Sequence, residues 1–207
     1  LKENLAKDLA NFELVETSEN PINIITNSIE KTLTLTFASP FELNTIYHLL
    51  IKELEDCKGN TLQNTVVLVI TTTSAHEGDI LINELLFNPK EDGVDFMELY
   101  NNSDKYLRLS DLLLARYDKD ERKDEKQMTY LDYILHPHHF LALTKDTVTL
   151  KSQYNTQHIL QIASLPPMNN DAGIVLLLDQ NGIILDSVPY AETQHFELLS
   201  DVSGVSL

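Results

Sequence analysis

Short segments of β-branched and apolar residues, each ended by turn-forming residues, recur along this 207-residue sequence. From Thr32 to Phe37, threonines alternate with leucine or phenylalanine, which is the period-two pattern of a strand with one buried face. Six further candidate strands follow Gly78, at 80–87, 95–100, 112–117, 140–144, 174–178 and 183–188. Because no run after Gly78 keeps a long helical period, the sequence predicts an all-β protein built from antiparallel sheets.

A small, polar segment from Thr71 to Gly78 separates two strand-rich stretches. It predicts two units in tandem, at residues 1–75 and 76–207. In the first unit, the run 65–71 is apolar enough to predict a strand buried on both faces or nearly so. Residues 1–14 have room for one or two helical turns.

The charge of the chain limits its partners. Fifteen basic residues against 32 acidic ones give a net charge of −17, which repels phosphate backbones and anionic lipid headgroups. Nucleic acid is therefore not an expected partner. No apolar run approaches the ~18 to 20 residues that a membrane span needs. The first residues lack a signal-peptide pattern, and the chain is expected to be a piece of a longer protein.

Three segments after Gly78 together resemble the opening strands of the lamin-tail domain. They are Asp79–Pro89 (DILINELLFNP), Asp95–Ser103 (DFMELYNNS) and Leu107–Leu114 (LRLSDLLL). Downstream, Leu135–Thr144 is similar to the family's strand after its "L-x-P-G-x-Y" turn, with His138 standing where family members usually have Gly. Ile174 to Val188, with Asn181-Gly182, is similar to its closing hairpin. The resemblance, taken over residues 79–207, implies an immunoglobulin-like β-sandwich.

The first unit resembles a different family. A sequence pattern in this unit is similar to the later part of a bacterial immunoglobulin-like domain of the surface-layer-protein type. The pattern consists of Tyr47, Leu49 to Ile51, Leu54, Asp56, Gly59-Asn60 and Leu62. This resemblance implies an incomplete first unit. The expected architecture is therefore two immunoglobulin-like antiparallel β-sandwich units in tandem, the first of them incomplete.

Four residues on adjacent predicted strands are candidates for acid–base catalysis or calcium binding: Asn83, Glu84, Asp95 and Glu98. In a regular strand, Glu98 shares a face with Phe96 and Tyr100, whereas Asp95 shares the opposite face with Met97 and Leu99. The two acids on this strand therefore diverge. A structural role, hydrogen bonding to turns, is the favoured interpretation.

Three other patterns are weaker candidates. The run Asp118–Lys126 begins like a calcium loop, but Lys123 and Thr129 stand where an EF-hand loop needs Gly and Glu, so a solvated loop is predicted. His136 and His138 could ligate zinc but lack an evident third ligand, which favours a surface turn. Cys57 could act as a nucleophile only if the fold brought it to His48.

Possible modification sites are equally weak in sequence terms. Ser187 and Thr147 each follow Asp and precede Val, as in some bacterial O-glycosylation sites, and Asn101-Asn102-Ser103 matches the N-glycosylation pattern. Such tripeptides arise often by chance.

The expected function follows from the family resemblance rather than from a catalytic motif. We expect a non-enzymatic structural or interaction module of an exported, cell-surface or periplasmic multidomain protein, without catalytic, cofactor-binding or metal-ligating residues. Its partner would be a protein or a glycan. The alternative is an accessory module of a surface hydrolase or nuclease whose catalytic domain lies elsewhere, and an independent metal-dependent enzyme ranks below both.

Overall fold

The computed structural model describes residues 8–27, 29–30, 32–54, 60–199 and 201–207. The chain divides into two compact units, Leu1–Thr71 and Thr72–Leu207. Within the described ranges, one α-helix accompanies the strands, so the all-β prediction is confirmed. None of the described helices has the length and hydropathy needed to cross a membrane.

The described part of the first unit contains five strands. They are β1 (Phe12–Leu14), β2 (Asn23–Asn27), β3 (Thr32–Thr36), β4 (Ile46–Ile51) and β5 (Thr65–Ile70). β1, β4 and β5 form one antiparallel sheet in that order, and β2 pairs with β3 as a separate hairpin. The kinship of this unit with surface-layer immunoglobulin-like domains stays a prediction.

One prediction for the first unit needs correction. β5 is not buried on both faces, since Val66 is 54% and Leu68 57% exposed. Val67, on the opposite face of this edge strand, is also 41% exposed, so an apolar sequence did not guarantee a covered strand. Near the start of the chain, the described residues contain only a 3₁₀ turn at Leu9–Asn11, capped by Asp8, before β1 begins; residues 1–7 lie outside the described part.

The second unit is a sandwich of two four-stranded sheets. Its strands are β6 (Ile80–Leu86), β7 (Phe96–Asn101), β8 (Leu107–Arg108), β9 (Leu112–Asp118), β10 (Glu121–Gln127), β11 (Ile134–Leu135), β12 (Phe140–Thr144), β13 (Ile159–Gln161), β14 (Ala172–Asp179) and β15 (Ile184–Ala191). The first sheet has the order β13-β12-β7-β6 and the second β10-β9-β14-β15. β12 and β13 are parallel and the other neighbours antiparallel.

All six strands predicted after Gly78 are present, with ends that differ by a few residues. The prediction of a solvated loop from Asp118 to Lys126 is wrong, because most of these residues form β10. Residues 121–125 are all exposed on this outermost strand of the second sheet. Charged side chains are tolerated there, and they also protect an open sheet edge against pairing with other chains.

The short helix α1 (Thr147–Gln153) was also not predicted. The side chain of Asp146 accepts hydrogen bonds from the backbone N–H groups of Val148 (2.9 Å) and Thr149 (3.1 Å), which caps the first turn. Two turns of helix are too short to show a helical period in the sequence. Leu150 is the buried residue of α1 and packs on the outer face of the first sheet with Leu86, Phe96 and Ala142.

The core between the two sheets takes the alternate side chains of the strands. On β7, Met97 and Leu99 point into this core, whereas Phe96 belongs to the outer cluster under α1. The period-two assignment of faces on β7 is therefore confirmed. Tyr190 of β15 also lies in the core, with its ring 4.5 Å from that of Phe87 and directly over Gly173 of the paired strand β14.

The last residues of the chain lie along β6. Leu207 and Leu85 exchange two backbone hydrogen bonds of 2.9 Å, and the N–H of Gly204 donates to the carbonyl of Asn88 at 2.7 Å. This segment therefore extends the pairing of the first sheet at its β6 edge.

Candidate functional site

The candidate site lies on the outer face of the first sheet, beside α1. Glu84 of β6 is directly opposite Glu98 of β7, and Glu98 is directly opposite Ala142 of β12. Residues opposite each other on antiparallel strands have Cβ atoms about 5 Å apart. The fold thus places two carboxylates side by side, next to a small alanine.

A cavity of about 270 Å³ opens at this carboxylate pair. Its other walls are mainly aromatic and aliphatic and come from β7, β12, α1 and the residues that follow α1. They are Phe96, Ala142, Leu150, Tyr154, Asn155 and Thr156. The rings of Phe96 and Tyr154 meet edge to face, with centroids 5.8 Å apart.

Neutral donors hold both carboxylates. Asn83 donates its side-chain N–H to Glu98 at 2.8 Å, and the hydroxyl of Ser206 donates to Glu84. A bulge in β6 between Ile82 and Glu84 lets Asn83 reach Glu98, because it removes Asn83 from the regular register. Partial burial raises the pKa of Glu98, and the hydrogen bond from Asn83 opposes this shift while the charge of Glu84 adds to it.

The carboxylate pair has no cationic partner within the described part of the chain. The ion pairs formed by described residues include neither Glu84 nor Glu98. Lys90 approaches the cavity wall instead, with its Nζ 5.9 Å from the ring centroid of Tyr154. Two like charges directly across a strand pair destabilise a sheet, so this arrangement favours uptake of a positive group or a proton.

Asp95 lies apart from the other acids of the predicted set. It lines a different cavity of about 200 Å³ with Lys145, Ser164 and the prolines Pro166 and Pro167. Burial raises the pKa of Asp95 to about 6, against the opposing effect of the Lys145 charge. The four candidate residues therefore do not form one centre: Asn83, Glu84 and Glu98 meet, and Asp95 does not join them.

The raised pKa of Asp95 leads to a prediction for Asp95→Asn. In the unfolded chain this carboxyl has a pKa of about 3.9, so the folded state binds its proton more tightly and loses stability as the pH rises from about 4 to 6. An asparagine side chain cannot ionise, and the variant should be more stable than the parent at pH 7 by about 1 kcal/mol, a figure reduced for the partial exposure of Asp95.

Urea unfolding at pH 4, 5, 6 and 7 measures this difference. It should shrink towards zero at pH 4. Asp92→Asn makes the same chemical change at an exposed position and serves as the control. A stability gain for Asp95→Asn that is equally large at pH 4 and pH 7 would contradict the assignment.

The two histidines of the predicted pair, His136 and His138, have different partners, and the ring of His136 also contacts that of His139, with centroids 5.6 Å apart. His138 has a positive φ of 57°, the left-handed conformation that explains why related turns use Gly, and His is among the residues that tolerate it. Its Nε2 lies 2.9 Å from Asp104, whereas the ring of His136 packs edge to face on Tyr106. In the described ranges, no group of three or more His, Cys, Asp or Glu is arranged to hold a metal ion.

The remaining sequence candidates have these positions. Cys57 lies outside the described residues, and Nδ1 of His48 is 2.6 Å from a carboxylate oxygen of Glu16. Asn101 of the glycosylation pattern is fully buried, so its amide is inaccessible in the folded protein. Ser187 is exposed and Thr147 is half-buried.

Sequence reasoning identified both glutamates and allowed that acids on the adjacent strands could face each other, but it did not determine which acids meet. Alternation along β7 put Glu98 on the face of Phe96 and Tyr100. The register of β6 against β7 depends on the bulge at Asn83, and no local pattern indicates it. Tyr154 and Leu150 were missed because α1 was not predicted.

The chain was compared with curated proteins, solved structures and family models. No protein with curated annotation matches the chain. One similar solved structure is that of a DUF4876 family protein from Bacteroides thetaiotaomicron, at 12% sequence identity and a TM-score of 0.31. The match covers 86% of this chain and 63% of that one, so the chain spans less than two thirds of its neighbour's length. The family model of the Lamin Tail Domain matches residues 73–192, which is more than half of the sequence and most of the sandwich described above. This chain belongs to the lamin tail domain family.

Proposed function

We propose that this chain is a non-enzymatic module of an exported, cell-surface multidomain protein, which spaces neighbouring domains and binds a partner through its sandwich. The observation that carries the proposal is the lamin tail domain at residues 73–192, an immunoglobulin-like β-domain. Its position after a separate compact β unit is typical of tandem modules that link and present other domains.

The placement of the acidic residues separates Asp95 from the two glutamates, and the setting of those glutamates suits binding of a ligand. Acid–base catalysis needs two groups with different proton affinities aimed at one reacting bond. Here, Asp95 lines one cavity, while Glu84 and Glu98 line another. The latter two share a sheet face with aromatic side chains, which suits recognition of a ligand.

An activity comparison tests the non-enzymatic part. The purified chain and a Glu84→Gln/Glu98→Gln double variant are incubated with generic ester, phosphodiester and glycoside substrates. We expect the same background rate for both proteins. Turnover by the parent that the double variant loses would refute the proposal. Hydrolysis by the native full-length protein, absent from this chain, would instead favour the accessory-module alternative.

Labelling of intact cells tests the exported location. Cells that make the native protein are treated with a membrane-impermeant biotin reagent, and the exposed lysines of the second unit, such as Lys119 and Lys151, are expected to be labelled. A cytoplasmic protein serves as the negative control. Labelling that requires cell lysis would contradict export.

A further inference from the structure

Part of the outer face of the first sheet is not covered by α1. It carries the stacked rings of Tyr100 on β7 and Phe140 on β12, whose centroids are 4.5 Å apart with an interplanar angle of 25°. Phe140 is 45% exposed and Tyr100 is half-buried. We call this pair, together with Glu84 and Glu98, the aromatic–acidic face.

The register brings the two halves of the aromatic–acidic face together. Phe140 is opposite Tyr100, and two residues along each strand Ala142 is opposite Glu98. Two residues of strand span about 7 Å, so the stacked rings lie one side chain away from the carboxylates. Ala142, which contributes only a methyl group, lines the cavity at Glu84 and Glu98, whereas the two stacked rings lie beside that cavity and do not line it.

The aromatic–acidic face carries two carboxylates that no cationic side chain of the described residues neutralises. Within the described residues, neither glutamate forms an ion pair, and the whole sequence has a net charge of −17. A surface of this sign attracts cationic partners over several ångströms before contact. Charge complementarity therefore favours a basic partner.

The shape of the site distinguishes among cations. Calcium needs six to eight oxygen ligands, and beyond the two glutamates the side-chain oxygens at the cavity wall are those of Tyr154, Asn155 and Thr156, of which the Tyr154 hydroxyl donates to the carbonyl of Gly204. A guanidinium group is planar, stacks on aromatic rings and bonds to carboxylates through two parallel N–H groups. Because Tyr100 and Phe140 are stacked on each other, a guanidinium can stack on an outer face of this ring pair, beside the two carboxylates.

We propose that the aromatic–acidic face binds an arginine side chain of a basic protein partner, with the guanidinium stacked on an outer face of the Tyr100–Phe140 ring pair and its N–H groups donating to Glu98 and Glu84. This inference rests on the proposed function, since it names the partner class of the same module. It implies that repulsion between the two glutamate carboxylates lowers the stability of the free protein, and that binding of the cationic side chain removes this repulsion.

The test is a titration of the isotope-labelled full chain, followed by NMR, with an acetylated and amidated heptapeptide that has one arginine between threonines. The matched peptide carries citrulline, which keeps the planar shape but not the charge. We expect shifts at the amides of Glu98, Tyr100 and Phe140, and an affinity for the citrulline peptide at least about tenfold weaker, the effect of losing one charge-assisted hydrogen bond.

Three variants make the result specific. Glu98→Gln is expected to weaken arginine binding about tenfold or more while raising the melting temperature of the free protein, because it removes like-charge repulsion. Phe140→Ala should weaken binding without changing the charge. Glu197→Gln, which alters an acid at an exposed position in the loop after β15, should leave the affinity within about twofold.

Three outcomes would overturn the inference: equal affinity for arginine and citrulline, equal losses in Glu98→Gln and Glu197→Gln, or displacement of the peptide by calcium at stoichiometric concentration. Binding of a neutral oligosaccharide at these amides, with no binding of the arginine peptide, would also overturn it. Each of these results would leave the module proposal standing, because that proposal fails on turnover or on cell labelling instead.

Discussion

The Asn101→Ala variant is expected to lose about 4 kcal/mol of stability, and the melting temperature of the second unit should fall by about 10 °C or more. Asn101 is fully buried at the end of β7. Its side-chain N–H groups donate to the carbonyls of Lys105 (2.7 Å), His136 (3.0 Å) and Leu135 (3.1 Å). Its side-chain oxygen accepts hydrogen bonds from the hydroxyl and backbone N–H of Ser103.

The large effect follows from what remains after truncation. Alanine leaves buried carbonyls without a donor and opens space for which the surrounding turns were built, and each unsatisfied buried group costs about 1–3 kcal/mol. The single amide joins two turns that are far apart in sequence, one after β7 and one after β11. Both turns should therefore loosen together.

Two variants control this prediction, with thermal and urea unfolding as the measurements. Asn102→Ala removes an exposed neighbour that makes one hydrogen bond to the carbonyl of Gly78, and it should cost less than about 1 kcal/mol. Asn101→Asp keeps the shape but turns a carboxylate oxygen towards three carbonyls, so it should be at least as harmful as alanine. Near-parental stability of Asn101→Asp would show that the amide donors are not important.

Gly173→Ala is expected to cost about 2–3 kcal/mol. An added Cβ at residue 173 would lie 2.5 Å from the hydroxyl oxygen of Tyr190 and 2.7 Å from the ring carbon that bears it. Tyr190 is only 4% exposed and packs against Phe87, so its ring has little room to move aside. The glycine is thus required by the ring above it, not by its own backbone conformation.

A double-mutant cycle measured by urea unfolding tests this cause. In a Tyr190→Ala background, the obstacle is gone, and Gly173→Ala should become neutral or stabilise by about 0.5 kcal/mol, because alanine restricts the unfolded chain more than glycine does. An equal cost in both backgrounds would place the strain in the backbone of β14 and contradict the contact with Tyr190.

The sequence alone determined the all-β class of the fold, six strands of the second unit and the two faces of β7. Alternation along 95–100 assigned Met97 and Leu99 to the core, and Asn181-Gly182 indicated the hairpin between β14 and β15, where Gly182 has a φ of 79°. These features depend on neighbours in sequence, since side chains alternate along any strand and turn residues act within four positions. The motifs of 79–190 also carried the resemblance to the lamin-tail domain, which the family match at 73–192 bears out for the part of 79–207 that it covers.

Only the tertiary structure decided which residues meet. The register of β6 against β7 is set by long-range pairing and a bulge at Asn83, and this brings Glu84 against Glu98 while Asp95 lines another cavity. Likewise, β5 has an apolar sequence that predicted a buried strand, but it lies at a sheet edge with exposed side chains. The charged segment of β10 is a strand because it pairs with β9. The strand that pairs with a given strand, and the side chains that bury its faces, come from residues distant in sequence. No local pattern therefore specifies them.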